Sequence, residues 1–341
     1  WRYFQKMRIS QLLFMLLCTI TCIAQRSDFQ EIDFTKADSI ALKYKGASLK
    51  NIPVLTHNLT SSLQTDVEKI RAIYTWIGTN IENDYSSYLK ISHKRKRLAK
   101  DRQAFLDWNT GITPKIFKAL LEHKITACTG YAYLVKEMTN LAGFECDIID
   151  GYGRTPTLLL DEDSSPNHSW NRIKVNNKWY WCDATWSAGE TIILNGEPMF
   201  NPDYFDGYFF ADPELFSKNH FPINTAKKDT INTKTFKSFI KAPVVYKEAF
   251  IEPIISIAPK NMHNQITKGT SVSFKLKVPD DFNENIHLLL NKGGGQKVIE
   301  PTITKEEREI ILQHTFDKKG SYDVHISTKD YLVATYVIKV K

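Results

Sequence analysis

Cys128, His168 and Asp183 follow one another along the chain, and their side chains could together break an amide bond. A thiolate can attack a carbonyl carbon, an imidazole can carry protons, and a carboxylate can hold that imidazole in one tautomer and stabilise its charged form. The three residues therefore predict nucleophilic catalysis by a thiol. Each also has an ordinary structural interpretation, because a free cysteine is among the most buried residue types and a lone histidine is more often simply hydrogen-bonded.

Cys128 precedes a run of apolar residues that are spaced three and four apart. The members of this run are Tyr131, Leu134, Val135, Met138 and Leu141. This spacing predicts one buried face of a helix that ends near Gly143, with Cys128 in the first turn. The N–H groups at a helix N-terminus favour a thiolate, so this position is expected to lower the pKa of the cysteine.

The histidine and the aspartate belong to a predicted β-hairpin. Residues 168–186 are predicted to form two strands joined by a two-residue turn at residues 176–177. With that turn, Asp183 lies opposite Trp170 and projects to the same face as His168. A shift of one residue would move the two side chains to different faces, so the register is itself a prediction.

The composition and the first residues indicate an exported globular protein. With 341 residues, 42% hydrophobic and 24% charged, the chain is long enough for two domains. Three basic residues precede an apolar run over residues 9–23, and the small residue Ala24 follows. This pattern is typical of a secretory signal peptide and is too short and polar for a comfortable membrane span. We expect residues 1–24 to be removed near Ala24, a secreted or periplasmic location, and no stable membrane span afterwards.

Removal of residues 1–24 would leave three cysteines, Cys128, Cys146 and Cys182. An odd number in a compartment that permits disulfides leaves at least one thiol free. If Cys146 pairs with Cys182, the free thiol is Cys128. A structural disulfide that uses Cys128 would instead end the enzyme interpretation.

Other elements must position the candidate residues. A capping box and an apolar stripe predict a helix over residues 66–81, and a further helix is expected over residues 114–123. The basic segment 94–102 and residues 108–113 are predicted to form a loop-like connection. Basic runs can bind nucleic acid, but this one has no interleaved aromatic residues and an exported protein rarely meets nucleic acid. We therefore interpret it as a solvated loop or helix face and expect no nucleic-acid partner.

The last part of the chain predicts an immunoglobulin-like β-sandwich over residues 250–341. Apolar residues alternate within 272–278 and 332–340, which is typical of strands with one buried face. Tyr322 lies two residues before a predicted core position, as in a tyrosine corner. The three glycines at residues 293–295 are predicted to form a hairpin loop, because no helix follows them as a phosphate site would need.

Several motifs together resemble a known family. They are AIYTWI at 72–77, CTGYA at 128–132, NHSWN at 167–171, WY at 179–180, DATW at 183–186, YF at 204–205, DPE at 212–214 and HFP at 220–222. This set resembles the transglutaminase-like superfamily and is most similar to the bacterial relatives of its kyphoscoliosis-peptidase branch. The resemblance implies an α+β, papain-like domain over residues 25–245, in which the cysteine at a helix N-terminus packs on an antiparallel sheet.

The resemblance also implies a role for each candidate residue. Cys128 would be the nucleophile, His168 the general base and then the acid, and Asp183 the orienting carboxylate. Two departures concern the substrate cleft: Thr126-Ala127 stands where the family usually has Gly-Val, and Asn83-Asp84 stands where it tends to have Tyr-Asp.

The expected function is acyl transfer or hydrolysis on protein or peptide amides, as in a cysteine protease or a transglutaminase-type acyltransferase. Water or an amine would take the acyl group from the thioester on Cys128, whose backbone N–H is the natural oxyanion donor. No cofactor is expected, and no metal, because the histidines are scattered and no metal-binding motif occurs. The rival interpretation is a non-catalytic binding or scaffolding protein that retains the fold as a relic.

Overall fold

A computed structural model describes residues 26–341 apart from residues 99, 159, 224–234 and 329–330. The predicted signal peptide, residues 1–24, lies outside the described residues. Within the described part of the chain, no helix combines the length and the apolar character that crossing a membrane requires. The domain boundaries inferred from the sequence stay predictions.

Most of the helices precede the candidate histidine or contain the candidate cysteine. Among the described residues they are α1 (Thr35–Lys43), α2 (Ile52–Thr60), α3 (Asp66–Asn80), α4 (Tyr85–Leu98), α5 (Arg102–His123), α6 (Cys128–Leu141), α7 (Ala184–Ala188), α8 (Pro213–Asn219) and α9 (Phe236–Lys241). The helix predicted over residues 66–81 is confirmed as α3. Its capping box is present, since the Thr65 hydroxyl accepts from the Glu68 N–H and the Glu68 carboxylate accepts from the Thr65 N–H. The apolar stripe of α3 is buried, with Tyr74 and Trp76 fully enclosed, so this helix forms the centre of the first core.

The loop-like connection predicted for residues 94–102 and 108–113 is wrong, because most of these residues belong to α4 and α5. Proline is favoured in the first turn of a helix, and the pattern therefore predicted a start at Pro114. In the structure α5 begins earlier, where the Asp101 carboxylate accepts a hydrogen bond from a first-turn N–H, and Pro114 lies inside the helix. Lys96 is exposed near the end of α4, which agrees with a solvated helix face.

The strands before residue 223 form a four-stranded antiparallel sheet and two small ribbons. They are β1 (Glu82–Asn83), β2 (Ile125–Thr126), β3 (Cys146–Gly153), β4 (His168–Val175), β5 (Lys178–Cys182), β6 (Gly189–Leu194), β7 (Glu197–Pro202) and β8 (His220–Pro222). The larger sheet has the order β5-β4-β3-β8, β1 pairs in parallel with β2, and β6 pairs with β7. Helix α6 lies against this sheet, where the Asn171 amide on β4 donates to the Ala132 carbonyl at 3.0 Å. This arrangement confirms the predicted α+β class.

The register of the predicted hairpin is confirmed. Strands β4 and β5 pair with Asn171 opposite Cys182, which is the alignment that places Asp183 opposite Trp170. Residues 176–177 both have positive φ angles, 49° and 62°, as a two-residue type I′ turn requires. The second strand is shorter than predicted, however, because β5 ends at Cys182 and Asp183 begins a helix as the N-cap of α7.

The suggested disulfide between Cys146 and Cys182 is wrong. Both cysteines and Cys128 are free and buried. Cys146 lies on β3 and Cys182 on β5, with β4 between them. Two strand spacings amount to about 9.5 Å, whereas bridged cysteines have Cα atoms less than about 7 Å apart.

The remaining strands form two facing sheets, and the predicted immunoglobulin-like β-sandwich is confirmed. They are β9 (Val244–Val245), β10 (Ile255–Ala258), β11 (His263–Ile266), β12 (Thr270–Lys277), β13 (His287–Lys292), β14 (Gly295–Ile299), β15 (Thr302–Glu306), β16 (Glu309–Phe316), β17 (Gly320–Ser327) and β18 (Leu332–Val340). One sheet has the order β10-β12-β16-β15, and the other has the order β11-β18-β17-β13-β14 with β9 paired to β18. The sheets meet through buried side chains such as Phe274 and Tyr336, whose ring centroids are 5.1 Å apart.

Two local predictions within the sandwich are also confirmed. The Tyr322 hydroxyl donates to the Lys318 carbonyl at 2.7 Å, and Val324, two residues after the tyrosine, is fully buried. Gly293 and Gly294 have φ angles of 57° and 83° and form the turn between β13 and β14. Glycine adopts positive φ angles more readily than residues with a Cβ, which explains the glycines in this turn.

The sandwich packs directly on the sheet that carries the candidate residues. The Lys218 ammonium at the end of α8 donates to the Ser256 carbonyl on β10 at 2.6 Å. Trp170 on β4 belongs to the same buried apolar cluster as Phe274 in the sandwich. The strand that begins with His168 is therefore supported on one side by α6 and on the other by the core that it shares with the sandwich.

Candidate active site

Cys128 is the first residue of α6, as the apolar spacing predicts. The preceding residue, Ala127, is extended and caps the helix without a side-chain hydrogen bond. A Cβ on Gly130 would lie 2.0 Å from the Thr126 hydroxyl oxygen and 2.7 Å from the Thr126 Cβ. Glycine at residue 130 therefore lets β2 approach the first turn closely and fixes where the cysteine begins the helix.

The Cys128 sulfur contacts two groups at the start of β4. The His168 side chain and the Ser169 backbone are the groups whose hydrogen bonding and charge favour the ionised form of this thiol. Burial by itself raises the pKa of the thiol, but these hydrogen bonds and the charge of His168 outweigh it and lower the pKa below the ordinary value. The surroundings of Cys128 therefore favour the thiolate.

His168 connects the thiol to Asp183. The His168 Nε2 atom lies 2.6 Å from Asp183 Oδ2, and the two side chains are almost completely buried. Because Nε2 faces the carboxylate, Nδ1 is the ring nitrogen that remains for the sulfur. Burial lowers the pKa of His168, but the Asp183 charge and hydrogen bond, with a smaller contribution from Cys128, raise it to about 10. His168 is therefore protonated at neutral pH, and its charge is one of the causes that lower the pKa of Cys128.

The hydrogen bonds at the Asp183 carboxylate stabilise its charged form. Its Oδ1 atom accepts the backbone N–H groups of Thr185 and Trp186, and its Oδ2 atom contacts His168 and His220. Burial raises the pKa of this carboxyl, but the His168 charge and the hydrogen bonds from both rings hold it well below its usual range. The same residue thus caps α7 and orients two imidazoles.

His220 belongs to the site although the sequence assigned it no role. It is buried on β8, where its Nε2 atom lies 3.1 Å from Asp183 Oδ2 and its Nδ1 atom lies 3.3 Å from the Phe216 carbonyl. Burial lowers the pKa of His220 to about 4, so the ring is neutral and carries one proton. Both contacts are acceptors, and the shorter contact to a charged oxygen is the better one, so we place the proton on Nε2.

The HFP motif at 220–222 was the available signal for this residue, but the motif alone does not predict a contact with Asp183. The contact arises because β8 pairs with β3, which brings His220 opposite Gly153. A Cβ on Gly153 would lie 2.9 Å from the Trp186 ring and 3.0 Å from the His168 Cβ. A glycine at this position therefore leaves room for the His168 ring, which stacks on Trp186 with 4.9 Å between centroids.

His168, Asp183 and His220 could also be considered as metal ligands, because their ligand atoms lie within 4.8 Å of one another. Ligands of tetrahedral zinc lie about 2.0–2.2 Å from the ion and hence roughly 3.3 Å from one another. In this structure the two ring nitrogens contact the Asp183 oxygen at 2.6 and 3.1 Å, so an ion would first have to break these hydrogen bonds. We therefore interpret the group as a hydrogen-bond network and assign it no metal-dependent step.

Comparison with known proteins places the site within one family. Residues 53–184 match the model of the family described as the transglutaminase-like superfamily. The chain is 26% identical over 316 residues to kyphoscoliosis peptidase from Homo sapiens. The aligned region covers 89% of this chain and 43% of that protein. It is 25% identical over 225 residues to hillarin from Drosophila melanogaster. That aligned region covers 63% of this chain and 25% of that protein. The chain thus spans less than half the length of these relatives.

Part of the chain is also similar to a solved structure, the filamin domain of Lin-41. The match has a TM-score of 0.21 and 13% identity, and it covers 26% of this chain and 91% of that domain. The immunoglobulin-like architecture rests on the two sheets and the tyrosine corner rather than on this score. The family match, in contrast, spans Cys128, His168 and Asp183. The chain therefore contains a domain of the transglutaminase-like superfamily, and this domain holds all three candidate residues.

Proposed function

We propose that this protein is a thiol enzyme that hydrolyses or transfers acyl groups of protein or peptide amides, with Cys128 as the nucleophile. One observation carries the proposal: the buried sequence of contacts from the Cys128 sulfur through His168 to Asp183. Desolvation alone would keep both the thiol and the imidazole neutral. In this site the pKa of Cys128 is instead lowered and the pKa of His168 is raised, which is the arrangement that thiol catalysis requires.

The proposed reaction has two stages. In the first, the Cys128 thiolate forms a bond to the carbonyl carbon, and the His168 imidazolium gives its proton to the departing amine as the C–N bond breaks. In the second, neutral His168 takes a proton from water or an acceptor amine, which attacks the thioester and releases the sulfur. Asp183 stabilises the charged ring throughout, and the Cys128 backbone N–H donates to the oxyanion.

Hydrolysis is the proposed main outcome, with water as the acceptor. The human relative is named a peptidase, which supports hydrolysis rather than cross-linking. We also propose that the protein is a bacterial one exported by the signal peptide at residues 1–24. In a secreted or periplasmic setting its partners would be protein or peptide substrates.

The pH dependence of alkylation tests this proposal. Iodoacetamide is expected to modify Cys128 rapidly below pH 7, and His168→Ala is expected to abolish this reactivity. The other two thiols are suitable internal references, because burial raises the pKa of Cys146 to about 11 and that of Cys182 well above its ordinary value. Intact mass and peptide mapping identify the modified residue.

His123→Ala is a matched control, since His123 is exposed at the end of α5 and is not part of the site. It should keep the wild-type alkylation profile. A wild-type rate that instead follows an ordinary thiol with a pKa near 8.5 would overturn the enzyme proposal and favour a non-catalytic scaffold.

A further inference from the structure

A cavity of about 180 Å³ lies between α4, α5 and β2. Its walls are mainly apolar and are formed by Ile91, Ile112, Ile116, Ala119 and Ile125. Lys90 and Lys115 are exposed and also line it. Asp84 is the acidic residue of the lining, and its carboxylate accepts the backbone N–H of Ser87 at the start of α4. The cavity therefore combines an apolar interior with a net basic lining.

The cavity adjoins the nucleophile along the chain. Thr126 and Ala127 both line it, and the next residue is Cys128. Consecutive Cα atoms are about 3.8 Å apart, so the wall of the cavity and the attacking residue are separated by one peptide unit. A substrate held at the Cys128 sulfur would thus have a neighbouring side chain within reach of the cavity.

Thr126 connects the cavity wall to the helix that carries the nucleophile. The residue is only 3% exposed, and a Cβ on Gly130 would lie 2.0 Å from its hydroxyl oxygen. The Thr126 side chain therefore occupies the space that glycine leaves in the first turn of α6. This packing fixes the position of the cavity wall relative to Cys128.

We propose that this cavity binds an apolar side chain of the acyl donor, of a size between leucine and phenylalanine. This inference rests on the function proposed above for Cys128. The size follows from the volume, because an apolar cavity of about 150 Å³ accommodates benzene. The isoleucine walls favour an apolar side chain, and Lys90 and Lys115 disfavour a basic one.

The inference can be tested with acetyl-dipeptide chloromethyl ketones, in which the thiolate forms an S–C bond and chloride leaves. One position of the dipeptide is glycine, and the other is in turn glycine, alanine, leucine, phenylalanine or lysine, in both orders. At one of the two positions, leucine and phenylalanine are expected to raise the rate constant for Cys128 modification at least 10-fold over alanine. Lysine is expected to give no increase.

Two variants connect this preference to the cavity. Ala119→Phe fills the cavity and is expected to reduce the leucine-to-alanine ratio below about 2-fold. Ala104→Phe makes the same change in α5 but away from the cavity lining, and it should keep the wild-type ratio. Ile116→Ala enlarges the cavity and should shift the preference from leucine to phenylalanine, which keeps the test valid if Ala119→Phe does not fold.

Iodoacetamide separates the two levels of the argument, because it has no side chain to place in the cavity. If wild-type Cys128 reacts with iodoacetamide as an activated thiolate but the peptide probes differ by less than 2-fold at both positions, the cavity inference is refuted and the enzyme proposal stands. A preference that persists unchanged in both cavity variants refutes it as well. If the alkylation of Cys128 by iodoacetamide follows the pH profile of an ordinary thiol, the enzyme proposal itself is refuted.

Discussion

Replacing Asp183 by asparagine removes the charge that keeps His168 protonated while it preserves the size of the side chain. The asparagine oxygen can still cap α7, where the carboxylate accepts the N–H groups of Thr185 and Trp186. Its amide N–H would then face His168 and His220, where the carboxylate accepts hydrogen bonds. Neutral His168 would have to present a bare Nε2 and carry its proton on Nδ1, the nitrogen that faces the thiol.

The size of the effect follows from the pKa of His168. The native surroundings raise this pKa from 6.5 to about 10, which corresponds to roughly 5 kcal/mol in favour of the imidazolium. In Asp183→Asn burial dominates and the pKa falls below 6.5. Cys128 then loses its cationic partner at pH 7. A thiol with an ordinary pKa of about 8.5 is only about 3% ionised at that pH, so the thiolate proposed for the wild type would lose roughly 30-fold of its population.

The assay is the rate of Cys128 alkylation by iodoacetamide between pH 5 and 9, followed by intact mass. Asp183→Asn is expected to react at least 30-fold more slowly at pH 7 and to show its inflection near or above pH 8.5. Turnover of an amide substrate should fall further, by about 10³–10⁴, because the wrong tautomer also blocks proton transfer.

Asp147→Asn is the matched control. Asp147 lies on β3 and pairs with Arg172 rather than with the histidines. This variant should keep the wild-type pH profile. An Asp183→Asn protein that remains folded and retains the wild-type inflection would refute the role of Asp183 in setting the charge of His168.

Two further variants test the surroundings of the site. His220 is neutral in the fold because burial lowers its pKa from 6.5 to about 4. Between pH 6.5 and about 4 the unfolded chain therefore binds a proton at residue 220 that the folded chain does not bind, so the free energy of unfolding falls as the pH falls. Between pH 7 and 4 the free energy of unfolding of the wild type should fall roughly 3 kcal/mol more than that of His220→Asn in urea titrations; equal decreases would contradict a buried neutral ring. Gly130→Ala adds a Cβ 2.0 Å from the Thr126 hydroxyl oxygen. It should cost about 1–3 kcal/mol of stability and slow Cys128 alkylation. Gly111→Ala, where the added Cβ meets open space, should do neither, and unchanged alkylation in Gly130→Ala would count against the tight turn.

The hairpin and the nucleophile helix could be predicted because their determinants are local. Two consecutive asparagines tolerate the positive φ angles of a two-residue turn, and that turn fixes which residues of β4 and β5 face each other. The register then places His168 and Asp183 together without reference to the rest of the fold. The apolar spacing after Cys128 likewise predicts α6 from a single stretch of chain.

The sequence-based predictions that are wrong concern features for which local patterns compete. Asp183 ends β5 because aspartate is a strong N-cap, and its carboxylate accepts two backbone N–H groups of α7. The strand pattern through residue 186 concealed this helix start. The described side chains of α4 and α5 are mostly exposed or half-buried, so their apolar stripe is weak and the pattern predicts a helix start at Pro114. The cysteine pairing depended on strand order, which adjacent residues do not encode.

Local patterns in the sequence predict the helix start at Cys128 and the side of the hairpin on which His168 and Asp183 project. They do not predict that α6 packs on β4, which brings the sulfur to the imidazole, or that β8 pairs with β3, which brings His220 to the same carboxylate. The physical reason is that these contacts join residues distant in sequence through sheet hydrogen bonds and shared burial. The same burial and proximity set the pKa values of Cys128 and His168, so the charge state of the site belongs to the folded protein.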